Sequence, residues 1–400
     1  MENNSVFTPA VAGMQASAIR EIFKMLGVPG MISFAAGIPA PELFPAKEWA
    51  KINEDILTNR ASGALVYGTT EGYVPLREYT KAQAAEKGIY NESIDELIIT
   101  SGAQQAIDLT AKVLLNPGDG VICESPSFIG SLNSFRSYGA KLYGASIEAD
   151  GICLEEVEAH LKEQKNIKFI YTIATFQNPS GVTMSQAKRE KLLALAEKYN
   201  VFILEDNPYG ELRFTGEAVA PIKSMDKNGT VIYAGTYSKT LAPGLRVGYL
   251  SARKDIVDRV TVVKQVNDVH TPVLNQMMVH EYVTNYDFEA HIEKCAKIYG
   301  ERCALMLSEM DKHFPKECTY TRPEGGIFIL CTLPEGTDTK VLMQKAIEKK
   351  VAFVPGATFM LDLDTPSNMF RLNFSVTTPE SITKGIAILG EVIKEYLQSL

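Results

Sequence analysis

The chain has 400 residues, 46% of them apolar and 22% charged, with a formal net charge of −8. That length calls for two domains around substantial cores, and the mixture of apolar residues with both charge signs excludes a disordered chain. The acidic balance argues against bulk attraction to nucleic acid or an anionic membrane, so any anionic ligand must be held by particular basic side chains.

The opening stretch, MENNSVFTPAVAGMQ, lacks the basic and apolar regions of a secretory signal. No apolar run approaches the ~20 residues of a spanning helix, so a cytoplasmic protein is expected. The stretch through ISFAAGIPAPELFP is rich in Pro and Gly and suits a segment that crosses between domains and rejoins the C-terminal one. From about Leu97 to Leu250, short apolar runs alternate with longer amphipathic stretches, the pattern of an α/β domain with a largely parallel sheet. The predicted strands are 97–100, 121–124, 168–173, 201–206, 231–236 and 246–250, with helical spacing over 104–116 and 185–200. After about residue 285 comes a long helical pattern, then GGIFILCTL, VAFVP and FRLNFS with helices between them, as in a smaller α+β unit. The expected division is a large domain over 46–285 and a small one built from 1–45 and 286–400. Six cysteines, at 123, 153, 295, 303, 318 and 331, form no C-x-x-C pair and no metal-ligand spacing, which predicts reduced thiols and no metal site.

Four segments carry candidate chemistry. In GTYSKTLAPGLRVGYL, Lys239 follows an apolar strand and Arg246 stands seven residues on, with glycines allowing close backbone approach. A lysine amine can form a Schiff base, and Thr236, Ser238 and Arg246 could hold a cofactor phosphate. The alternative is a solvated lysine beside a turn. A Walker loop is excluded, because its glycines would have to stand where Tyr233 and Ser238 do. In ITSGAQQAIDL a strand ends in Ser-Gly and a helix begins, leaving free N–H groups near Gly102, Ala103 and Gln104 that favour a phosphate, although the same pair is also an ordinary turn. VFILEDNPYG delivers Asp206 to the carboxyl end of a strand, where α/β sheets bind ligands and a carboxylate can partner a cationic ring nitrogen; an Asx turn is the competing reading. ATFQNPSG offers Asn178 at a comparable strand end, or else a Pro-containing turn.

The motifs SGAQQ, QNPSG, EDNPYG and SKTLAPGLR occur in the order used by fold-type I aminotransferases, which the chain resembles from about Ser17 to Ser375. Through ISFAAGIPAPELFP, YGTTEGYVPLRE, RPEGGIF, VAFVPG and FRLNFS it is similar to the 2-aminoadipate, kynurenine and broad-specificity aromatic subgroup. It departs at Ala36, where relatives often carry glycine, and at Phe128, where tyrosine is usual; ring stacking needs only an aromatic face. The resemblance implies pyridoxal 5′-phosphate as cofactor, Lys239 as the Schiff-base lysine and Asp206 at the ring nitrogen. It further implies Asn178 and Tyr209 on the phenolic oxygen and Phe128 stacked on the ring. The phosphate would be held by backbone groups of Ala103 and Gln104, by Ser238 and Arg246, with Thr236 a further candidate. Tyr67 would reach across from a second subunit, which implies a homodimer. Arg371 would clamp the substrate carboxylate with Asn178 and the Gly37 backbone. In FRLNFS, Arg371 alternates with apolar neighbours and so leaves the strand on a polar face, which on pattern alone equally meets solvent. In SAIREIFKML, Arg20 stands at the edge of an apolar helical face; the resemblance places it over the substrate entrance, and the plain alternative is a solvated arginine.

The reading that follows is a fold-type I α/β enzyme passing the amino group of an amino acid to a 2-oxo acid, most plausibly 2-oxoglutarate, by ping-pong chemistry. The shared motifs activate Cα without choosing its fate, so a β-lyase or decarboxylase on the same scaffold is the nearest rival. A non-catalytic ligand sensor is the second. The regulators built that way carry an N-terminal winged helix, for which a resemblance beginning at residue 17 leaves no room.

Overall fold

The computed structural model describes residues 6–8, 11, 30–362 and 364–400. Its centre is an eight-stranded sheet in the order Asp95–Thr100, Gly248–Arg253, Val231–Thr236, Phe202–Asn207, Ile167–Thr172, Gly120–Ser125, Lys141–Glu148, Gly151–Ile152. The five strands from Val231–Thr236 through Lys141–Glu148 pair in parallel. The strand Gly248–Arg253 runs antiparallel to both its neighbours. Parallel strands covered on both faces read as unbroken apolar runs, and Val231–Thr236 is buried along five of its six residues. Strand order reverses between Gly120–Ser125 and Ile167–Thr172, so a crevice is expected at the carboxyl ends there.

Helices cover both faces because their apolar stripes need the sheet. The helix Ala103–Leu114 buries Ala106, Ile107, Leu109, Thr110 and Ala111. The helix Gln186–Tyr199 is set by its ends: the Ser185 hydroxyl accepts from Lys188 N, and Asn200 takes the left-handed conformation at its close. A four-stranded sheet is built from Thr319–Tyr320, Phe328–Thr332, Met369–Asn373 and Val354–Pro355. The short strand Ile32–Ser33 pairs in parallel with Val351–Ala352, and Asn373 N donates to Phe34 O, tying the early segment to the C-terminal region.

Two expectations are corrected, and one strand was not expected at all. The strand expected at 246–250 begins only at Gly248, because Arg246 sits at φ 54 in the left-handed region and breaks the extended path. VAFVP is two strands, Val351–Ala352 and Val354–Pro355, pairing with different sheets. The strand Lys141–Glu148 was not foreseen: only Ala145 along it is buried, so it lacks the apolar run that marked the others. The six cysteines are all free and buried. Among the described residues no helix is long and apolar enough to cross a membrane.

Candidate active site

A cavity of about 320 Å³ opens at the carboxyl ends of the parallel strands. Twelve of the fourteen site residues expected from the sequence line it: Gly37, Ala103, Gln104, Phe128, Asn178, Asp206, Tyr209, Thr236, Ser238, Lys239, Arg246 and Arg371. Of the other two, Tyr67 is 86% exposed and stands outside the cavity, its ring edge-on to His270. Arg20 lies outside the described residues.

Asp206 is the penultimate residue of the strand Phe202–Asn207 and is buried. Its Oδ2 accepts from the Tyr171 hydroxyl at 2.8 Å, while Oδ1 has no partner although fully buried. Burial pushes its carboxyl up from 3.8 to about 7, with Tyr171 pulling it down and Glu124 pushing it further up. Among the described residues this carboxylate has no ion-pair partner, and the Lys239 charge offsets its burial only in part. Across the cavity, Lys239 Nζ donates to Gly37 O at 2.6 Å and lies 5.9 Å from the centre of the Tyr209 ring. Burial, then Arg371 and Arg246, bring the Lys239 amine down to about 8, so a substantial fraction is neutral near physiological pH.

Arg371 is 2% exposed, so the polar face of its strand points into the protein and not to solvent; Asn373 and Ser375 on that face are buried too. Its Nη1 donates to Asn178 Oδ1 at 2.8 Å and its Nη2 to Ala35 O at 3.1 Å. Phe328 and Phe359 lie 3.9 and 4.9 Å from the guanidinium carbon, fixing its plane and leaving Nε without a partner.

At the opposite end of the cavity the helix Ala103–Leu114 starts at Gly102 with no side-chain cap, so its first N–H groups are free to receive an anion. The Gly102 φ of +79 belongs to the left-handed region, and a Cβ there would lie 2.3 Å from Arg246 Nη2. Arg246 is anchored by Ser101 O at 2.9 Å and Pro243 O at 3.2 Å, with Ser238 Oγ at 3.5 Å. Thr236 lines the same end, but its hydroxyl is taken up by Ser238 Oγ and Val247 O.

Sequence reasoning missed Tyr171, Phe328 and Phe359. Tyr171 and Phe328 sit in strands buried on both faces, so no alternation marks one face as functional, and Phe359 closes a short buried 3-10 turn with no periodic signal.

A family model described as aminotransferase class I and II matches residues 29–389. The chain is similar to the aromatic-amino-acid aminotransferase 1 of Thermococcus litoralis, with 40% identity over 402 residues covering 100% of this chain and 96% of that protein. The kynurenine aminotransferase of Pyrococcus horikoshii, solved in complex with PMP, matches with a TM-score of 0.94 and 39% identity over 98% of each chain. The alpha-aminoadipate aminotransferase of Thermus thermophilus, solved with N-(5′-phosphopyridoxyl)-L-leucine, matches with a TM-score of 0.90 and 35% identity, again over 98% of each.

Proposed function

Because the chain belongs to the class I and II aminotransferases and is a pyridoxal-phosphate-dependent transaminase, we propose that it takes the amino group from a 2-aminoadipate-like, aromatic or broader range of L-amino acids and delivers it to a 2-oxo acid, 2-oxoglutarate foremost. One observation carries the reading: Lys239, Asp206 and Arg371 face a single cavity. The residues present fit the cofactor. The unpartnered Asp206 Oδ1 suits a protonated ring nitrogen, the uncapped helix start beside Arg246 and Ser238 suits a phosphate, and among the described residues Lys239 is the one lysine lining the cavity. When bound, the cofactor supplies an electron sink for the pair released at Cα.

The side chains then divide the work. Arg371, its plane fixed between two phenylalanines, binds the substrate carboxylate, and Asn178 holds the guanidinium in place. Lys239 Nζ in its neutral form accepts the Cα proton, for which a value lowered to about 8 is suited. Asn178 and Tyr209, which line the cavity, would hold the phenolic oxygen of the cofactor, and Phe128 would stack on its ring. Tyr67, exposed on one protomer, reaches the site of a second, so that a homodimer shares its active sites. The proposed division into a large domain over 46–285 and a small one from 1–45 and 286–400 would put the cavity between them, since Gly37, Ile38, Phe328 and Arg371 line it together with residues of 103–246.

Among the described residues the cations lining the cavity are Lys239, Arg246 and Arg371, each with a role at the cofactor or the α-carboxylate. A distal carboxylate therefore needs a further cation, and Arg20 is the candidate. Mixing the loaded enzyme with single amino acids and following the cofactor spectrum tests the reading. Accumulation of the aminated cofactor together with a 2-oxo acid is expected. Loss of CO2 or of a β-substituent without that accumulation would make it a decarboxylase or lyase.

A further inference from the structure

Lys264 is fully buried yet stands outside the cavity and has no part in the chemistry above. Its Nζ donates to both oxygens of Asp268, at 2.7 and 2.9 Å, and to Gln105 Oε1 at 3.0 Å. Asp268 closes the helix Lys254–Asn267 as its C-cap, where the helix dipole disfavours an anion, so the carboxylate is not there for the helix. It serves Ser101 instead. Asp268 Oδ2 accepts from Ser101 Oγ at 2.9 Å and from Gln105 Nε2 at 2.7 Å, while Gln105 Oε1 accepts from Ser101 N at 2.7 Å. The next residue, Val269, is held at φ 64, a conformation that β-branched side chains rarely adopt, and the turn it makes brings Thr271 Oγ1 within 3.1 Å of Ser101 Oγ. With Arg246 Nη2 on its carbonyl, Ser101 is fastened at its N–H, its hydroxyl and its C=O, one residue before the Gly102 that opens the helix.

A carboxylate is a strong acceptor for fastening Ser101, but its charge stands beside the helix start where the cofactor phosphate is read to bind. We propose that Lys264 and Asp268 form a positioning pair for that phosphate cup, in which Asp268 fixes the Ser101–Gly102 turn and Lys264 cancels the charge that would otherwise repel the phosphate. The inference rests on the assignment of Arg246 and the Ala103–Gln104 N–H groups to the phosphate.

The test compares release of pyridoxal phosphate from holoenzyme on dilution and ultrafiltration in K264M, D268N and the double variant, with R246A as reference and the 31P shift of the bound phosphate as a second readout. K264M leaves an uncompensated carboxylate near the cup and should loosen the cofactor roughly tenfold or more with a shifted 31P signal. D268N keeps an acceptor for Ser101 and should hold the cofactor at least as well as the parent. The double variant should regain most of what K264M loses. A merely structural pair predicts the reverse order, with the double variant no better than the worse single one and losses following thermal stability; that outcome overturns the proposal. So does cofactor retention in K264M equal to the parent, or a tenfold loss in D268N, which also decides the matter if K264M does not fold. If R246A retains cofactor like the parent, the phosphate assignment itself falls.

Discussion

Replacing Asp206 by asparagine should make the cofactor-free protein more stable while removing most turnover. Asp206 is raised from 3.8 to about 7 by burial, which the Tyr171 hydrogen bond and the Lys239 charge offset only in part. The folded protein therefore binds its proton more tightly than the unfolded chain, and the group withdraws stability as pH rises from about 4 through 7. A shift of about 3 units corresponds to roughly 4 kcal/mol once the carboxylate is fully ionised. The neutral amide escapes that cost and can still accept from Tyr171, but its NH2 is left unpaired where Oδ1 was, which costs roughly 1–3 kcal/mol. The net expectation above pH 7 is a gain on the order of 2 kcal/mol, shrinking toward zero or reversing near pH 5, where the aspartate is already protonated. Urea denaturation of both cofactor-free proteins at pH 5, 6, 7 and 8 measures the difference directly. Parallel stability curves across that range, or a variant less stable at pH 8, would refute the argument that Asp206 is an incompletely compensated buried acid. In the loaded enzyme the same substitution should leave cofactor retention nearly intact, because the phosphate contacts are elsewhere, and should lower kcat severely. Near-normal kcat would mean that another group serves the ring nitrogen.

Lys239→Ala should remove the internal imine and with it any borohydride-fixable cofactor, whereas in the parent borohydride should fix cofactor to a single peptide containing Lys239; labelling of any other lysine refutes the central assignment. Arg371→Lys keeps the charge but loses the planar fork held by Asn178 and Ala35 O, so donors and acceptors alike should bind worse by ~1–3 kcal/mol. Unchanged KM for both would rule it out as the clamp. Arg20→Ala should weaken glutamate, aminoadipate and 2-oxoglutarate selectively while alanine or leucine half-reactions hardly change, since a guanidinium binds a distal carboxylate by paired hydrogen bonds. Equal losses for alanine and glutamate, or none, would return Arg20 to the helix surface.

What could be read from the sequence followed one physical rule. Residues at the ends of buried parallel strands were visible because a long apolar run stops at a polar residue: Asp206 after VFILE, Asn178 after a second such run, Lys239 after VIYAGT. The phosphate end was visible through Gly102, whose positive φ is the conformation that glycine supplies. Residues within the runs were not. Tyr171 lies mid-strand among buried neighbours and is distinguished from them only by a hydroxyl that meets Asp206. Arg371 was assigned to a polar face but not to its burial, since alternation cannot tell solvent from an internal cavity. The strand Lys141–Glu148 escaped because partial exposure on both faces leaves no periodic signal.

Among the described residues the charges lining the cavity have no ion-pair partners, an arrangement shared by the buried Arg189, which rests on Met184 O, Ala174 O, Ala220 O and Thr175 Oγ1, but not by the buried lysines. Lys223 is buried against Asp95 and Asp226, and Lys264 against Asp268, so these interior cations are neutralised within the fold. Lys239, Arg246 and Arg371 instead rest on neutral acceptors, namely Gly37 O, Ser101 O and Asn178 with Ala35 O, and among the described residues none of the three forms an ion pair with a carboxylate. Asp206 in turn is hydrogen-bonded only through a neutral phenol. A fold gains nothing in stability by burying charges of both signs in one cavity and keeping them apart. Ligands that bring an anion to each arginine and a cation to Asp206 recover that cost on binding.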